Sequence, residues 1–384
     1  MTSQAHTIAS LRAVAPMHII ADRGAGVLVG QACGDALGVP YEFKSPKLDD
    51  TPHMIGGGMG DYSPGEWSDD TQLAICIAEV AVTGIDLTTE EALDAISQRY
   101  IAWLQSGQRE LDAQTRVVIE QAIADDLPGR PAQKMRRSAA YFHRRTNRSS
   151  GSGALARTAI IGLSRLNEPE WTAAAARTVA ELTHVDPLAG DSCVLMCETI
   201  RQATLSTLEG KQTWNRRFRI EAGLDLLPAS RRDQWKEWLD EARDLYFKPP
   251  MDNTFTVGAL QASLGAITAA ILDSKESVGM ADWGIRRSIE NAVRVGGDTD
   301  TIAAITGAMV GACVGAMALP REWTKRIHGW PGFKMDALVD LGIGAAMAGL
   351  VGPEGMAHAM ESGMDFSRLI EAEPDSGGTD ADDE

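Results

Sequence analysis

Apolar positions along most of the chain recur at the three- and four-residue spacing of amphipathic helices. This spacing predicts helices over residues 89–104, 114–124, 171–182, 188–207, 231–246 and 282–294. Clusters of Pro, Gly, Asp and Ser separate these segments, notably at 45–66, 126–131, 145–153, 184–190 and 248–254. The sequence has no sustained alternation of β-branched and aromatic residues, which would indicate strands. The pattern therefore predicts an all-α fold.

Small residues recur every four positions in three stretches. These are Gly26, Gly30, Gly34 and Gly38; Gly307, Gly311 and Gly315; and Gly258, Ala262, Ala266 and Ala270. Residues four apart share one face of a helix, and each internal Gly costs about 1 kcal/mol relative to Ala. Close backbone contact among three central helices would explain such ridges, and a simple bias toward Ala and Gly is the alternative. The first ridge predicts a helix over residues 24–37.

The chain of 384 residues is 44% hydrophobic, which is enough to bury a large core, and it shows no break in composition within its body. We predict a flexible lead-in over residues 1–20 and a single compact helical domain over residues 21–365. Residues 366–384 combine acidic residues with Gly and Ser, a composition typical of a disordered tail.

Charge and targeting features narrow the class of protein. The net charge of −17 disfavours a nucleic-acid scaffold, which needs a basic face for phosphates. Residues 302–319 are uncharged and about long enough to span a membrane, but Ala and Gly dominate them, so they predict a buried helix. No signal peptide is visible, and five scattered cysteines do not form a disulfide pattern. We expect a cytoplasmic protein without a membrane partner.

A first acidic motif, Trp-Ser-Asp-Asp-Thr-Gln, occupies residues 67–72. It follows a glycine-rich loop at 56–61 and precedes an apolar helix predicted at 73–82. The adjacent carboxylates of Asp69 and Asp70 repel each other, and a hard cation with oxygen ligands would offset that repulsion. Ser68 offers a further oxygen. The alternative is helix capping, because Ser and Asp are common at helix N-termini.

A second acidic motif, Gly-Gly-Asp-Thr-Asp-Thr, occupies residues 296–301. Asp298 and Asp300 do not share a helix face, so their side chains converge only where the chain is still turning from loop to helix. Capping accounts for one of these acids more easily than for two. The two motifs together supply four carboxylates, which suits two magnesium ions about 3.5–4 Å apart. The lack of a His-rich set disfavours zinc.

Residues 30–43, which include Gly-Asp-Ala-Leu-Gly at 34–38, resemble the opening motif of the ADP-ribosylglycohydrolase family. That family includes the dinitrogenase-reductase-activating glycohydrolases. Both acidic motifs resemble its metal motifs. Residues 151–157, 182–187 and 320–323 are similar to its glycine loop, its Thr-His segment and its Pro-x-x-Trp. The matches run in family order from about residue 24 to residue 330.

This resemblance implies an all-α orthogonal bundle of many helices, with two magnesium ions, replaceable by manganese, in a central cleft. The implied metal ligands are Ser68, Asp69, Asp70, Asp298, Asp300 and Thr301. The implied catalytic set is Glu42, which matches a glutamate beside the metal cleft, with Asp69, Asp70, Asp298 and Asp300. The implied substrate-binding residues are Asp35, Ser150, Gly151, Ser152, Gly153, His184 and Gly297.

The expected reaction is hydrolysis of the glycosidic bond between ADP-ribose and a modified target. We hypothesise that water attacks through an oxocarbenium-like transition state with one carboxylate as base; no general acid is assigned. Arginine-linked ADP-ribose is the first choice of substrate, because Glu42, Asp61 and Glu66 could pair with a guanidinium at the entrance. A serine linkage ranks second, and a small-molecule or nucleic-acid adduct third, with long nucleic acids disfavoured by the net charge.

Two other classes of function stay open at this stage. One is a magnesium-dependent phosphoesterase acting on a nucleotide, and the other is a non-catalytic relative that binds ADP-ribose or is structural. Complete metal motifs disfavour the second class, because a structural role would not need six oxygen ligands. The expected partner is an ADP-ribosylated protein or an ADP-ribose-containing small molecule.

Overall fold

A computed structural model describes residues 15–44, 51–108, 110–208, 214–244, 252–276 and 281–361. Helices make up most of these ranges. Strand β1 (His328–Gly329) pairs with β2 (Phe333–Lys334) in a two-stranded antiparallel ribbon. The predicted all-α class is confirmed.

The α-helices begin and end as follows: α1 (Met17–Gly38), α2 (Asp69–Ala81), α3 (Glu90–Gln105), α4 (Ala113–Ala124), α5 (Pro131–Thr146), α6 (Gly153–Arg157), α7 (Pro169–Ala180), α8 (Pro187–Leu205), α9 (Trp214–Arg217), α10 (Ala229–Asp244), α11 (Thr256–Glu276), α12 (Ala281–Arg294), α13 (Thr299–Val314), α14 (Arg321–Thr324) and α15 (Met335–Glu361). Short 3₁₀ helices lie at Val39–Tyr41, Ala159–Leu163, Ile220–Leu226 and Ala316–Ala318. The periodicity located most long helices within a few residues, but it missed α5 and α15.

Helices α1 and α13 form the centre of the body, and both are almost entirely buried. A Cβ atom added to Gly26, Gly30 or Gly34 would collide with a carbonyl oxygen of α13, at Gly311, Gly307 and Ala303 respectively. The two backbones therefore touch along three helical turns. This confirms the contact predicted between the first two glycine ridges.

The third predicted ridge was wrong in its contact. Helix α11 packs on α12 and α13, but its Gly258 faces the backbone of Asp252, in the loop before the helix. The third close contact comes instead from α15, where Gly342 meets the backbone of Gly24. Gly315 follows the end of α13 with a φ of +89°, and its backbone still lies against α1, because a Cβ on Gly26 would be 3.0 Å from its carbonyl carbon.

The ordered body begins earlier than predicted. Helix α1 starts at Met17, and Ala15 and Ile20 are buried in the core. The predicted lead-in over residues 1–20 is therefore too long at its C-terminal end. The predicted acidic tail at 366–384 lies outside the described residues.

Three apolar helices bear on the membrane question. Helix α13, which covers most of the uncharged segment, is buried as predicted. Thr256–Asp273 of α11 and Met335–Gly352 of α15 are long and apolar enough to cross a membrane by length and composition, with 61% and 44% of their residues buried in the body. Core helices pass the same test, so the absence of a membrane partner stays a prediction. All five cysteines are buried and free.

Candidate active site

A cleft of about 460 Å³ lies where the N-termini of α2 and α13 meet the segment after α1, the segment before α4 and the glycine loop before α6. Seven carboxylates line it: Glu42, Asp69, Asp70, Glu110, Asp112, Asp298 and Asp300. Thr301 lines it as well. The structure thus brings both acidic motifs and Glu42 to one cavity.

The N-terminus of α2 is capped by Asp35, which projects from α1. One oxygen of its carboxylate accepts from the backbone N–H of Ser68 at 2.8 Å. The other accepts from the backbone N–H and the hydroxyl of Thr71 at 3.0 and 2.6 Å. Capping by the motif's own side chains is therefore wrong for Ser68, which makes no side-chain cap bond. Asp69 and Asp70 of this motif line the cleft.

The hydroxyl of Ser68 is a buried polar group without a partner. Its Oγ lies near the Asp35 carboxylate but makes no hydrogen bond of normal geometry, and the residue is fully buried. A buried hydroxyl left in this way costs free energy unless a ligand satisfies it. Ser68 precedes Asp69 and Asp70 in the chain but does not line the cleft, unlike the other five predicted metal ligands.

The second motif is shaped by two glycines and an asparagine. Gly296 and Gly297 have φ values of +76° and +75°, a conformation that favours glycine. Asn253 donates to the carbonyl of Gly296 at 2.8 Å, and its Oδ1 accepts from the backbone N–H of Asp298 at 3.3 Å. Asp298 makes no side-chain cap bond to α13, and it accepts instead from the Ser152 hydroxyl at 3.0 Å.

The acidic cluster continues beyond the two motifs. Carboxylate oxygens of Glu42, Glu110 and Asp300 lie within 4.8 Å of one another, and one oxygen each of Glu42 and Glu110 is buried without a hydrogen-bond partner. Burial and the charge of Glu110 raise the pKa of Glu42 to about 9. These groups cannot all be ionised together unless a cation lies among them.

The donor set fits divalent cations. Burial raises the pKa of Asp298 to about 6, and it raises the pKa of Asp70 well above the usual range, with the charge of Asp69 adding to it. Arg148 is the one cationic side chain among the described residues that line the cleft. Carboxylate and hydroxyl oxygens are the ligands that magnesium prefers.

The glycine loop forms the part of the wall beside Asp298 and Asp112. Its backbone is fixed by bonds from Ser152 N–H to the Thr254 carbonyl at 3.0 Å and from Thr256 N–H to the Ser150 carbonyl at 2.8 Å. Gly151, Ser152 and Gly153 line the cleft as predicted, whereas Ser150 supports the loop from outside the lining.

Three residues predicted to bind substrate lie behind the cleft wall. Asp35 caps α2, and the carbonyl of Gly297 accepts from the N–H of Phe43 at 2.7 Å. His184 is fully buried, and a Cβ on Gly151 would lie 3.2 Å from its Nε2. Burial lowers the pKa of His184 to about 3, so its ring is neutral and supports the glycine loop.

Two of the acids predicted at the entrance of the cleft lie elsewhere in the structure. Asp61 and Glu66 do not line the cleft, and Glu66 accepts from the N–H of Ser63 in its own loop at 2.7 Å. Glu110 and Asp112 take their place. Asp112 caps α4 through the N–H of Thr115 at 2.8 Å, which leaves its Oδ2 buried and unpartnered. An acid before a helix was the only sequence signal, and it does not separate a cap from a site.

Comparisons with known proteins agree with this geometry. The family model described as ADP-ribosylglycohydrolase matches residues 16–351. ADP-ribosylarginine hydrolase Tri1 of Serratia proteamaculans is 23% identical over 80% of this chain and 75% of its own length. The ADP-ribosyl-[dinitrogen reductase] glycohydrolase of Rhodospirillum rubrum is 23% identical over 80% and 90%.

A solved structure titled ADP-ribosylglycohydrolase-related protein complex superposes with a TM-score of 0.61 at 25% identity, covering 86% of this chain and 99% of its own. The family model extends from the start of α1 into α15 and includes every residue of the acidic cleft. The chain therefore belongs to the ADP-ribosylglycohydrolase family of hydrolases.

Proposed function

We propose that this protein is a magnesium-dependent hydrolase that releases ADP-ribose from arginine side chains of modified proteins. One observation carries the proposal: two acidic motifs meet beside a glycine loop in a cleft lined by seven carboxylates, and Glu42, Glu110 and Asp112 each have one buried oxygen without a hydrogen-bond partner.

Two magnesium ions, with manganese as a substitute, would be held by Ser68, Asp69, Asp70, Asp298, Asp300 and Thr301. When bound, such ions neutralise the carboxylates and act as Lewis acids toward the substrate and water. The chain's own residues supply the rest. Gly151 and Gly153 present backbone without side chains, so a diphosphate can approach the wall closely. Unpartnered oxygens of Glu42 and Asp112 are available to accept a proton from the attacking water.

The arginine linkage is supported by two relatives named ADP-ribosylarginine hydrolase, from Serratia proteamaculans and Pseudomonas putida. It is also supported by charge. Glu42, Glu110 and Asp112 line the cleft, and carboxylates bind a guanidinium through charge-assisted, often bidentate hydrogen bonds. A serine-linked substrate would bring no positive charge to these acids.

The test is a parallel assay of peptides ADP-ribosylated on Arg, Ser and Glu, with released ADP-ribose quantified. Each peptide is assayed with magnesium, with EDTA, and with magnesium restored after EDTA. We expect release from the Arg peptide that EDTA abolishes and magnesium restores.

Full turnover in EDTA would overturn the metal assignment. Release from the Ser peptide alone would overturn the linkage while leaving the metal site standing. Inorganic phosphate or AMP as the product would indicate a phosphoesterase instead.

A further inference from the structure

The segment that contributes the glycine loop to the cleft has a charge opposite to that of the whole chain. Residues 127–167 contain nine Lys and Arg and no Asp or Glu, although the protein carries 17 more acids than Lys and Arg residues. This segment includes α5 and the glycine loop. Of its nine cationic side chains, Arg148 lines the cleft, together with the seven carboxylates.

Arg148 brings this positive charge into the cleft itself. It lies between α5 and the glycine loop, and its side chain lines the cavity. Its guanidinium stacks over the ring of Phe255, which also lines the cavity, at 4.8 Å from the ring centroid. Stacking on an aromatic face restricts the orientation of the guanidinium and leaves its N–H groups available at the edge.

The ion pair of Arg148 is one that a ligand can replace. Its partner Asp252 is 3.7 Å away, and the two side chains are 71% and 49% exposed. Exposed pairs of this kind contribute little free energy. Other arginines of the segment are engaged elsewhere: Arg136 pairs with Glu90, and Arg137 pairs with Asp125.

We propose that Arg148 binds the diphosphate of the nucleotide in the cleft and makes the site select nucleoside diphosphates over nucleosides. The planar guanidinium suits phosphate oxygens, which it contacts through paired charge-assisted hydrogen bonds. The same contact orients the substrate, because Arg148 attracts the diphosphate whereas the carboxylates that line the cleft repel it. This inference rests on the proposed function for taking ADP-ribose as the substrate.

The decisive experiment compares ADP with adenosine as ligands of the full-length protein, by calorimetry in EDTA. EDTA removes any contribution of metal to phosphate binding. The variants are R148A, R148K and the matched control R145A. Arg145 is exposed, lies in the last turn of α5 three residues before Arg148, and does not line the cleft. We expect R148A to weaken ADP binding roughly 10-fold and to leave adenosine binding unchanged.

The control should change binding of either ligand less than about twofold, and R148K should lie between R148A and the wild type. With the Arg peptide as substrate, R148A should raise KM roughly 10-fold with kcat nearly unchanged, because the contact is made equally in the ground state and the transition state.

If R148A weakens the binding of ADP and of adenosine equally, the proposal is overturned, and Arg148 instead stacks on the nucleoside. Equal effects of R145A and R148A would overturn it in favour of long-range charge, and wild-type protein that does not prefer ADP would also overturn it. If no ADP-ribosylated peptide is hydrolysed, the proposed function fails, whereas the ADP and adenosine comparison still decides the role of Arg148.

Discussion

The N-termini of α2 and α13 pose the same structural problem and solve it differently. Each must hold two aspartates at a helix start and still leave carboxylate oxygens for the cleft, and only one oxygen of Asp300 is used there, by the N–H of Thr301 at 3.0 Å. At α2, the carboxylate of Asp35 enters from α1 and binds the backbone that the motif would otherwise cap. At α13, Asn253 holds the backbone of the preceding turn, and the hydroxyl of Thr299 donates to the carbonyl of Gly38 at 2.9 Å.

Both solutions depend on the last turn of α1. Asp35 and Gly38 lie three residues apart on this helix, and they contact the starts of α2 and α13 respectively. The first motif is positioned by the buried carboxylate of Asp35. The second is positioned by Gly38, whose lack of a side chain lets α13 start close to α1. The difference indicates that α1 positions both halves of the acidic cluster, so a shift of its last turn would disturb both.

The largest expected effect comes from removing one ligand charge on either side. Asp70→Asn and Asp298→Asn should each lower kcat/KM by roughly 100-fold or more, because loss of even an outer contact to a metal site costs about 10- to 100-fold. Turnover with magnesium and circular dichroism on the same samples decide this. A variant that keeps near-wild-type turnover would show that its motif only begins a helix.

A methyl group at Gly38 should disturb the second motif most. A Cβ there would collide with the backbone of Thr299 and Asp300, which cannot move without displacing α13. We expect Gly38→Ala to lower the free energy of unfolding by about 3 kcal/mol and to reduce turnover.

The matched control is Gly265→Ala in α11, where the nearest atom to the new Cβ, the Ala242 carbonyl oxygen, is 3.3 Å away. Urea unfolding of both variants gives the comparison. Equal stability of the two variants would contradict the role given to Gly38.

Much of this framework was predictable from the sequence, for a physical reason. Four-residue glycine spacing is informative because internal glycines destabilise a helix. The glycine ridges of α1 and α13 therefore predicted that these two helices contact each other. The third ridge failed because Ala is favourable in any helix, and Gly258 serves a local turn instead. Helix α5 was missed because it carries so many Arg and Lys residues, although its hydrophobic positions do follow a helical face.

The site was predictable where a motif concentrates unusual chemistry, as in residues 67–72 and 296–301. It was not predictable where single residues converge through the fold. Glu110 and Asp112 are ordinary acids in the sequence, and Asn253 is separated from Gly296 by two helices. Conversely, Asp35 and His184 match family motifs, yet they support the cleft wall from behind.

A smaller effect should follow from changing the cap of α2. Asp35→Asn keeps one acceptor oxygen but turns an amide N–H₂ group toward the N–H of Thr71 or of Ser68. We expect the free energy of unfolding to fall by about 2 kcal/mol, because a buried donor loses its acceptor. Asp35→Glu keeps the charge but not the length, and it serves as the second variant. If Asp35→Asn has the same free energy of unfolding in urea as the wild type, the Asp35 cap does not position α2.

The smallest effect concerns pH, and it tests whether burial of the ionised Asp298 carboxylate destabilises the metal-free protein. Burial raises the pKa of Asp298 to about 6 in the folded chain, from an ordinary value of 3.8. Between these values the folded state binds more protons than the unfolded state, so the free energy of unfolding falls as pH rises through this window. Ionisation of Asp298 therefore lowers the free energy of unfolding of the metal-free protein above pH 6.

Asp298→Asn cannot ionise at this position, so in EDTA it should be more stable than the wild type at pH 7.5, and the difference should shrink toward pH 4.5. Magnesium should reverse the order at pH 7.5, because only the wild type has the full ligand set. Urea unfolding at both pH values, with EDTA or magnesium, measures all four cases. If the variant is less stable than the wild type in EDTA at pH 7.5, the hydrogen bond from Ser152 outweighs the cost of burying the Asp298 charge. The second motif would then be held by contacts that need no cation, unlike the first.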